Sequence, residues 1–127
     1  MTENELATEI VDAAYQVHKA LGPGLLESAY TAIFVFELRA RGLHFLQEHP
    51  VPIVYKGIHL DQGFRVDLIV ESKVIIEIKS VQAIAPVHYK QLLTYLKLAD
   101  KRLGLLINFN VALIKDGITR IVNRLDD

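Results

Sequence analysis

Apolar residues at the start of the chain recur at steps of three and four. Leu6, Ile10, Ala13, Val17 and Leu21 form one face of a helix running from about Glu3 to Leu21, with Thr2 or Asn4 as its cap. Gly22-Pro23-Gly24 interrupts that period. A second helix is expected to open near Pro23 or Leu25 and to stop at Gly42, burying Leu26, Ala29, Tyr30, Ile33, Phe36 and Ala40. Leu43 to Leu60 then reads as extended chain, confined to a sheet edge or its entry by Pro50 and Pro52. Tyr55-Lys56-Gly57 is a turn within it, and Asp61-Gln62-Gly63 reads as a second one.

From Phe64 to Ser80 the period becomes two. Val66, Leu68 and Val70 point one way and Arg65, Asp67, Ile69 and Glu71 the other; after the Glu71-Ser72-Lys73 turn, Val74, Ile76 and Ile78 oppose Ile75, Glu77 and Lys79. A loop to Pro86 precedes a helix from about Val87 to Ala99 with Leu92, Leu93, Leu96 and Ala99 on its apolar side. Leu103 to Phe109 is almost unbroken apolar sequence, the mark of a strand buried on both faces. Val111 to Ile114 and Ile118 to Val122, joined by Lys115-Asp116-Gly117, read as a closing hairpin. This order describes an α/β (α+β) fold, a mixed sheet flanked by helices, in one domain spanning 1–127.

A length of 127 residues with 51% hydrophobic content suits a single domain with a sizeable core. The absence of cysteine excludes disulfides and thiolate metal sites. MTENELATEI is acidic and lacks the apolar stretch of a signal peptide, and no apolar run approaches the roughly 20 residues of a membrane span. A cytoplasmic protein with no membrane partner is expected. The net charge of −1 does not announce a nucleic-acid binder, but its distribution is uneven. Between Arg65 and Arg102 the basic residues Arg65, Lys73, Lys79, Lys90, Lys97, Lys101 and Arg102 outnumber Asp67, Glu71, Glu77 and Asp100. That reads either as ordinary surface scatter or as a basic rim around an acidic site.

Three ionisable groups stand in a strand pair otherwise built for burial. Across a hairpin Asp67 comes beside Glu77, and like charges that close repel unless a cation sits between them. A hard divalent cation binds through one or two carboxylates and keeps water or phosphate oxygens in its other positions. Lys79 shares the strand face of Glu77, where an ammonium can hold an attacking water and offset charge building on a phosphate. Asp67, Glu77 and Lys79 therefore form a phosphodiester-hydrolysis constellation, although an exposed strand face with paired charges would show the same letters. On the following helix His88, Gln91 and Tyr95 share one face. Glu27, in the first turn of the second helix, reads either as a carboxylate stabilised by about 0.3–1 kcal/mol at the positive helix end or as part of the site.

The string Asp67…Glu77-Ile78-Lys79 on a hairpin, with Glu27 on the helix before it and Gln91 and Tyr95 on the helix after, resembles the PD-(D/E)XK nuclease superfamily. GLLESAY (Gly24 to Tyr30) is more closely similar to the signature of the small GxxExxY proteins assigned there. The likeness extends to YKG (Tyr55 to Gly57), PVHYKQLLTYLK (Pro86 to Lys97) and GLLINF (Gly104 to Phe109). It implies a restriction-endonuclease-like fold with core order α-β-β-β-α-β, an extra N-terminal helix and a C-terminal hairpin. It also implies a nuclease that hydrolyses DNA with water activated at Mg²⁺ or Mn²⁺. Asp67, Glu77 and Glu27 would be the metal ligands, Lys79 the catalytic lysine, and Gln91 a residue facing the site. His88, Tyr95, Tyr30, Lys90 and Arg65 are candidates for contact with substrate or support of the site. Val66 stands where the superfamily's name has proline, which leaves the chemistry untouched.

The alternative is a non-catalytic module that retains the fold and binds nucleic acid or a partner protein, which the small net charge favours. A phosphodiesterase acting on a small molecule would fit the same residues. DNA is the favoured partner over RNA, and a homodimer is expected because pairing gives a small domain more contact area and covers surplus apolar surface.

Overall fold

In the computed structural model, which describes residues 1–126, helix α1 spans Glu3–Leu21. Thr2 opens it with a reciprocal cap: the Glu5 amide donates to Thr2 Oγ1 at 3.1 Å and the Thr2 amide to Glu5 Oε1 at 2.9 Å. Leu6, Ile10, Ala13 and Val17 are buried as their spacing requires, whereas Leu21, at the last position of the helix, is exposed. Helix α2 covers Glu27–Ala40, later than the expected opening near Pro23 or Leu25, because the chain stays extended through Leu26. Its buried residues are Tyr30, Phe34, Val35 and Leu38. Of the expected stripe only Tyr30 is inside, while Leu26 and Phe36 are 77% and 67% exposed. The helix is apolar almost all round, with only Glu27, Glu37 and Arg39 charged, so periodicity alone selects no face.

Arg41 helps to choose it. Its guanidinium reaches Glu9 (3.0 Å) and Asp12 (2.6 Å) on α1 as well as Glu37 (3.3 Å), so its local pair with Glu37, four positions back, is one arm of a clamp between helices.

Five strands follow: β1 Phe45–Tyr55, β2 Ile58–Val70, β3 Val74–Lys79, β4 Leu103–Asn108 and β5 Ile118–Val122. They form one sheet in the order β1-β2-β3-β4-β5, in which only the β3–β4 pair is parallel. Helix α3, Pro86–Ala99, makes the crossover that a parallel pair needs. β1 lies at an edge, as Pro50 and Pro52 demand.

Two sequence expectations change here. Asp61-Gln62-Gly63 is not a turn: β2 runs through it, and the register passes from Val51–Phe64 to Ile53–Leu60, so these three residues bulge opposite Pro52, which has no amide hydrogen to pair. Nor do residues 111–114 form a hairpin arm. They bend into a 3₁₀ turn at Ile114–Asp116, and β5 pairs with β4 instead, whose exposed ladder edge is the better partner.

The sheet separates two cores. On one side α1 and α2 cover Leu68, Val70, Val74, Ile76, Ile78, Leu103, Leu105 and Ile107. On the other α3 presses Leu92 and Leu96 against Val66, Ile69, Ile75 and Leu106. β3 and β4 alternate between the two as period two requires. β2 does not: Val66 belongs to the α3 side although Leu68 belongs to the other, so the expected alternation breaks at Asp67.

α3 sits close to β4 at Gly104, where a Cβ would lie 2.9 Å from Leu92 Cδ1. A side chain there must push Leu92, which is 1% exposed, and with it the helix that carries Gln91 and Tyr95. Gly104→Val is expected to cost about 1–3 kcal/mol in urea unfolding. Unchanged stability would show that α3 is free to give way.

Candidate active site

The parallel pair and its crossover helix set the location. Side chains at the carboxyl ends of β3 and β4 meet the first turns of α3 there, and in open sheets with parallel strands that end is where ligands bind. Glu77 and Lys79 are the last two residues of β3 on its α3 side.

Asp67 joins them because β2 lets it go. The β1 register passes from Gln47–Leu68 to His49–Val66 without it, and Glu48, the residue skipped opposite, has a φ of 48°. The β2–β3 ladder also ends one residue short, at Leu68–Ile76. In place of a main-chain partner the Ile78 amide donates to Asp67 Oδ2 at 2.8 Å. The carboxylate thus satisfies the strand it would otherwise have paired with.

A cavity of about 170 Å³ is lined by Arg65, Asp67, Glu77, Lys79, His88, Gln91, Leu92, Tyr95 and Leu106. Seven of the sequence candidates, Arg65, Asp67, Glu77, Lys79, His88, Gln91 and Tyr95, are gathered in it. Glu77 is 8% exposed. Burial pushes its carboxyl up to about 9, with further upward pressure from the Asp67 charge and a hydrogen bond to Asp67, while Lys79 pulls it down. Tyr95 is raised too, first by burial and then by Glu77 and Asp67, and stays a neutral phenol. Its ring stacks on Phe64 at 4.2 Å.

Three candidates lie elsewhere. Lys90 is exposed and outside the lining of this cavity. Glu27, the first residue of α2, lines a neighbouring cavity of about 390 Å³ with Ser28, Thr31, Ala32, Gln47, Glu48 and Asp67. Asp67 is the wall common to both. Among the described residues no three His, Asp or Glu side chains are grouped closely enough to hold a metal ion. The two carboxyl groups in the first cavity are nevertheless an all-oxygen donor set that would suit a hard divalent cation once Glu77 gives up its proton.

Tyr30 is the third. Its ring is fully buried and stacks on Phe109 at 4.6 Å. Its hydroxyl donates to the Gly22 carbonyl at 2.5 Å and accepts from the Leu25 amide at 3.2 Å. Gly24, at φ 104°, supplies the bend that these bonds close around. Ser80 Oγ donates to the Leu25 carbonyl at 2.5 Å and so ties the same loop to the residue after Lys79. Gly24, Glu27 and Tyr30 therefore act together: glycine and tyrosine fix the loop that delivers the glutamate beside Asp67.

Sequence reasoning passed over Ser80, Glu48 and Asn108. Asn108, 3% exposed at the end of β4, accepts from the Val81 and Asn110 amides and donates to the Val81 carbonyl, anchoring the chain that leaves β3. A buried amide at the close of an apolar run was its only signal. His18 is likewise structural, its Nε2 lying 2.7 Å from the Val111 carbonyl.

The sheet, its crossover helix and this acidic cleft define a restriction-endonuclease-like architecture. The sequence profile of the PD-(D/E)XK nuclease superfamily matches residues 4–121, and the chain belongs to that superfamily. No curated protein and no solved structure matches it. Among the described residues no helix is long and apolar enough to cross a membrane.

The pH dependence of stability follows from Glu77. Between about 4.5 and about 9 the folded chain holds a proton that the unfolded chain has released. The stability tied to that proton is whole below the lower value and drains away as pH rises toward the upper one. Glu77→Gln, which has no proton to lose, should therefore be more stable than wild type at pH 8 in chelator, by at least about 1 kcal/mol, since one unit of pKa is worth about 1.4 kcal/mol. The gap should close near pH 5. Chemical denaturation at both pH values reads it, and a mutant less stable at pH 8 would contradict the burial of an uncompensated carboxyl.

Proposed function

We propose that the protein is a metal-dependent nuclease that hydrolyses phosphodiester bonds of nucleic acid, with DNA as its substrate before RNA. The observation that carries this reading is the pairing of Asp67 with the buried Glu77 in one cavity that also receives Lys79 and Gln91. Asp67 and Glu77 would hold Mg²⁺ or Mn²⁺, which supplies positive charge to the phosphate and lowers the pKa of water. Glu27, which lines the neighbouring cavity on the other side of Asp67, would join them as a third ligand once its side chain turns toward that wall. It belongs to the GLLESAY string whose likeness to the GxxExxY proteins adds to the reading.

The roles of the chain's own residues follow from position. Asp67, fixed by the Ile78 amide, orients the donor set. Lys79 presents its ammonium beside the acids, where it steadies the attacking water and offsets the negative charge that grows on the phosphate. Gln91, exposed on the first half of α3, faces the same space and orients the strand or the water by hydrogen bonds. Arg65 at the rim, where it also reaches Gln62 at 3.2 Å, attracts the phosphodiester backbone.

A homodimer is part of the proposal. Leu26, just before α2, and Ile33 and Phe36 on it stand exposed at 77%, 44% and 67%, an apolar face for a second copy to cover. Light scattering at tens of micromolar should give twice the chain mass for wild type and a single chain mass for Phe36→Glu. A monomeric wild type removes the dimer from the proposal.

Calorimetric titration with Mn²⁺ tests the rest. Wild type and Lys79→Ala should bind, and Asp67→Asn and Glu77→Gln should not. On linear, branched and single-stranded DNA, Lys79→Ala should lose about 10²- to 10³-fold in kcat. Wild type that takes up no Mn²⁺ would make the acidic pair structural and favour a binding module with the nuclease fold.

A further inference from the structure

His88 occupies the first turn of α3, where its amide donates to the Ala85 carbonyl at 3.0 Å. Its ring lines the cavity of Asp67, Glu77 and Lys79. Among the described residues Nδ1 is the one buried side-chain nitrogen or oxygen with no hydrogen-bond partner. The ring's two nitrogens are therefore unequal. Nδ1 is turned into the protein with nothing to donate to, and Nε2 is the nitrogen left on the accessible side.

That inequality decides which nitrogen can work. With Nδ1 enclosed, Nε2 is the ring atom through which His88 can offer an N–H to a group in the cavity. The groups around it sort by charge. Asp67 and Glu77 are suited to a cation, while Lys79, Arg65 and the His88 donor are suited to an anion.

We infer that His88 binds substrate, its Nε2–H donating to a non-bridging phosphate oxygen of the nucleic-acid strand beside the bond that is cut. This rests on the nuclease reading of the cavity and adds to it a phosphate contact on the α3 wall, across from the lysine. The role needs no proton transfer and no change in the metal ligands.

Side-chain geometry supplies the test. The amide nitrogen of glutamine can take the place of Nε2, and that of asparagine the place of Nδ1. His88→Gln, His88→Asn and His88→Ala are compared in the full chain, with a fluorescein-labelled single-stranded DNA and its duplex as probes. Anisotropy in Ca²⁺ reads binding, and Mn²⁺ starts cleavage. Mn²⁺ calorimetry should be the same in all three variants and wild type. Asparagine and alanine should weaken strand binding and kcat/KM by roughly tenfold or more, as loss of a hydrogen bond to a charged group does, and glutamine should stay within about threefold of wild type.

Rescue by asparagine and not glutamine would overturn the inference, because Nδ1 would then be the working nitrogen. Three variants equal to wild type would overturn it as well, leaving His88 a structural residue. So would a wild type that binds Mn²⁺ yet neither holds nor cuts the strand. That last result leaves the metal site standing, while absent Mn²⁺ binding with His88-dependent strand binding would sink the nuclease reading and keep the phosphate contact.

Discussion

Everything near the cleft follows from placing two carboxyl groups together at the end of a buried strand pair. Glu77 is inside the sheet with Asp67 against it, an arrangement that raises the free energy of the charged state through desolvation and repulsion alike. The backbone adapts to it. β2 drops out of its ladders on both sides at Asp67, and the freed Ile78 amide is satisfied by the very carboxylate that displaced its partner. A sheet that merely needed to be stable would continue the Leu68–Ile76 pairing by one more residue and place an apolar side chain at 77. Removing that option has a purpose only if something positive or protic occupies the space between the two acids.

The surrounding structure supports this local cost with apolar contact on both faces. α1 and α2 cover one side of β3 and α3 the other, so the polar end of the strand projects from a segment whose remaining residues are fully enclosed. Gly104 lets α3 approach closely enough for Leu92 to line the cavity beside Gln91 and Tyr95. Chemistry and packing are thereby divided along one helix, its residues alternating between core and cleft every three or four positions.

What was legible in the sequence was whatever a single periodicity could express. α1, β3, α3 and β4 each present one pattern to one environment, and each lies where its pattern puts it. Helix α2 is apolar on nearly every side, and its orientation is chosen by Tyr30 and Arg41 bonding to residues beyond the helix, information that no hydrophobic stripe contains. Asp61-Gln62-Gly63 has turn-forming letters, yet the long β1–β2 pairing on either side carries the strand through them as a bulge. The acids and lysine of the cleft were visible because charge inside an apolar strand is conspicuous. Ser80 and Asn108 were not, since a hydroxyl and an amide at strand ends look like ordinary exits until the chain folds Leu25 and Val81 onto them.

Glu27 shows why the motif around it has its spacing. A glutamate at the first position of a helix is held at the backbone by whatever fixes the preceding loop, and here that loop is pinned from two directions, by Tyr30 within α2 and by Ser80 just past the end of β3. Tyr30 lies three positions after Glu27, somewhat less than one helical turn, so the tyrosine reaches back under the loop while the glutamate stays exposed at the helix start. The backbone at Glu27 is consequently fixed, and its exposed side chain retains rotamer freedom on the far wall of Asp67. The ligand role proposed for Glu27 therefore asks for rotation of its side chain within the cavity it shares with Asp67.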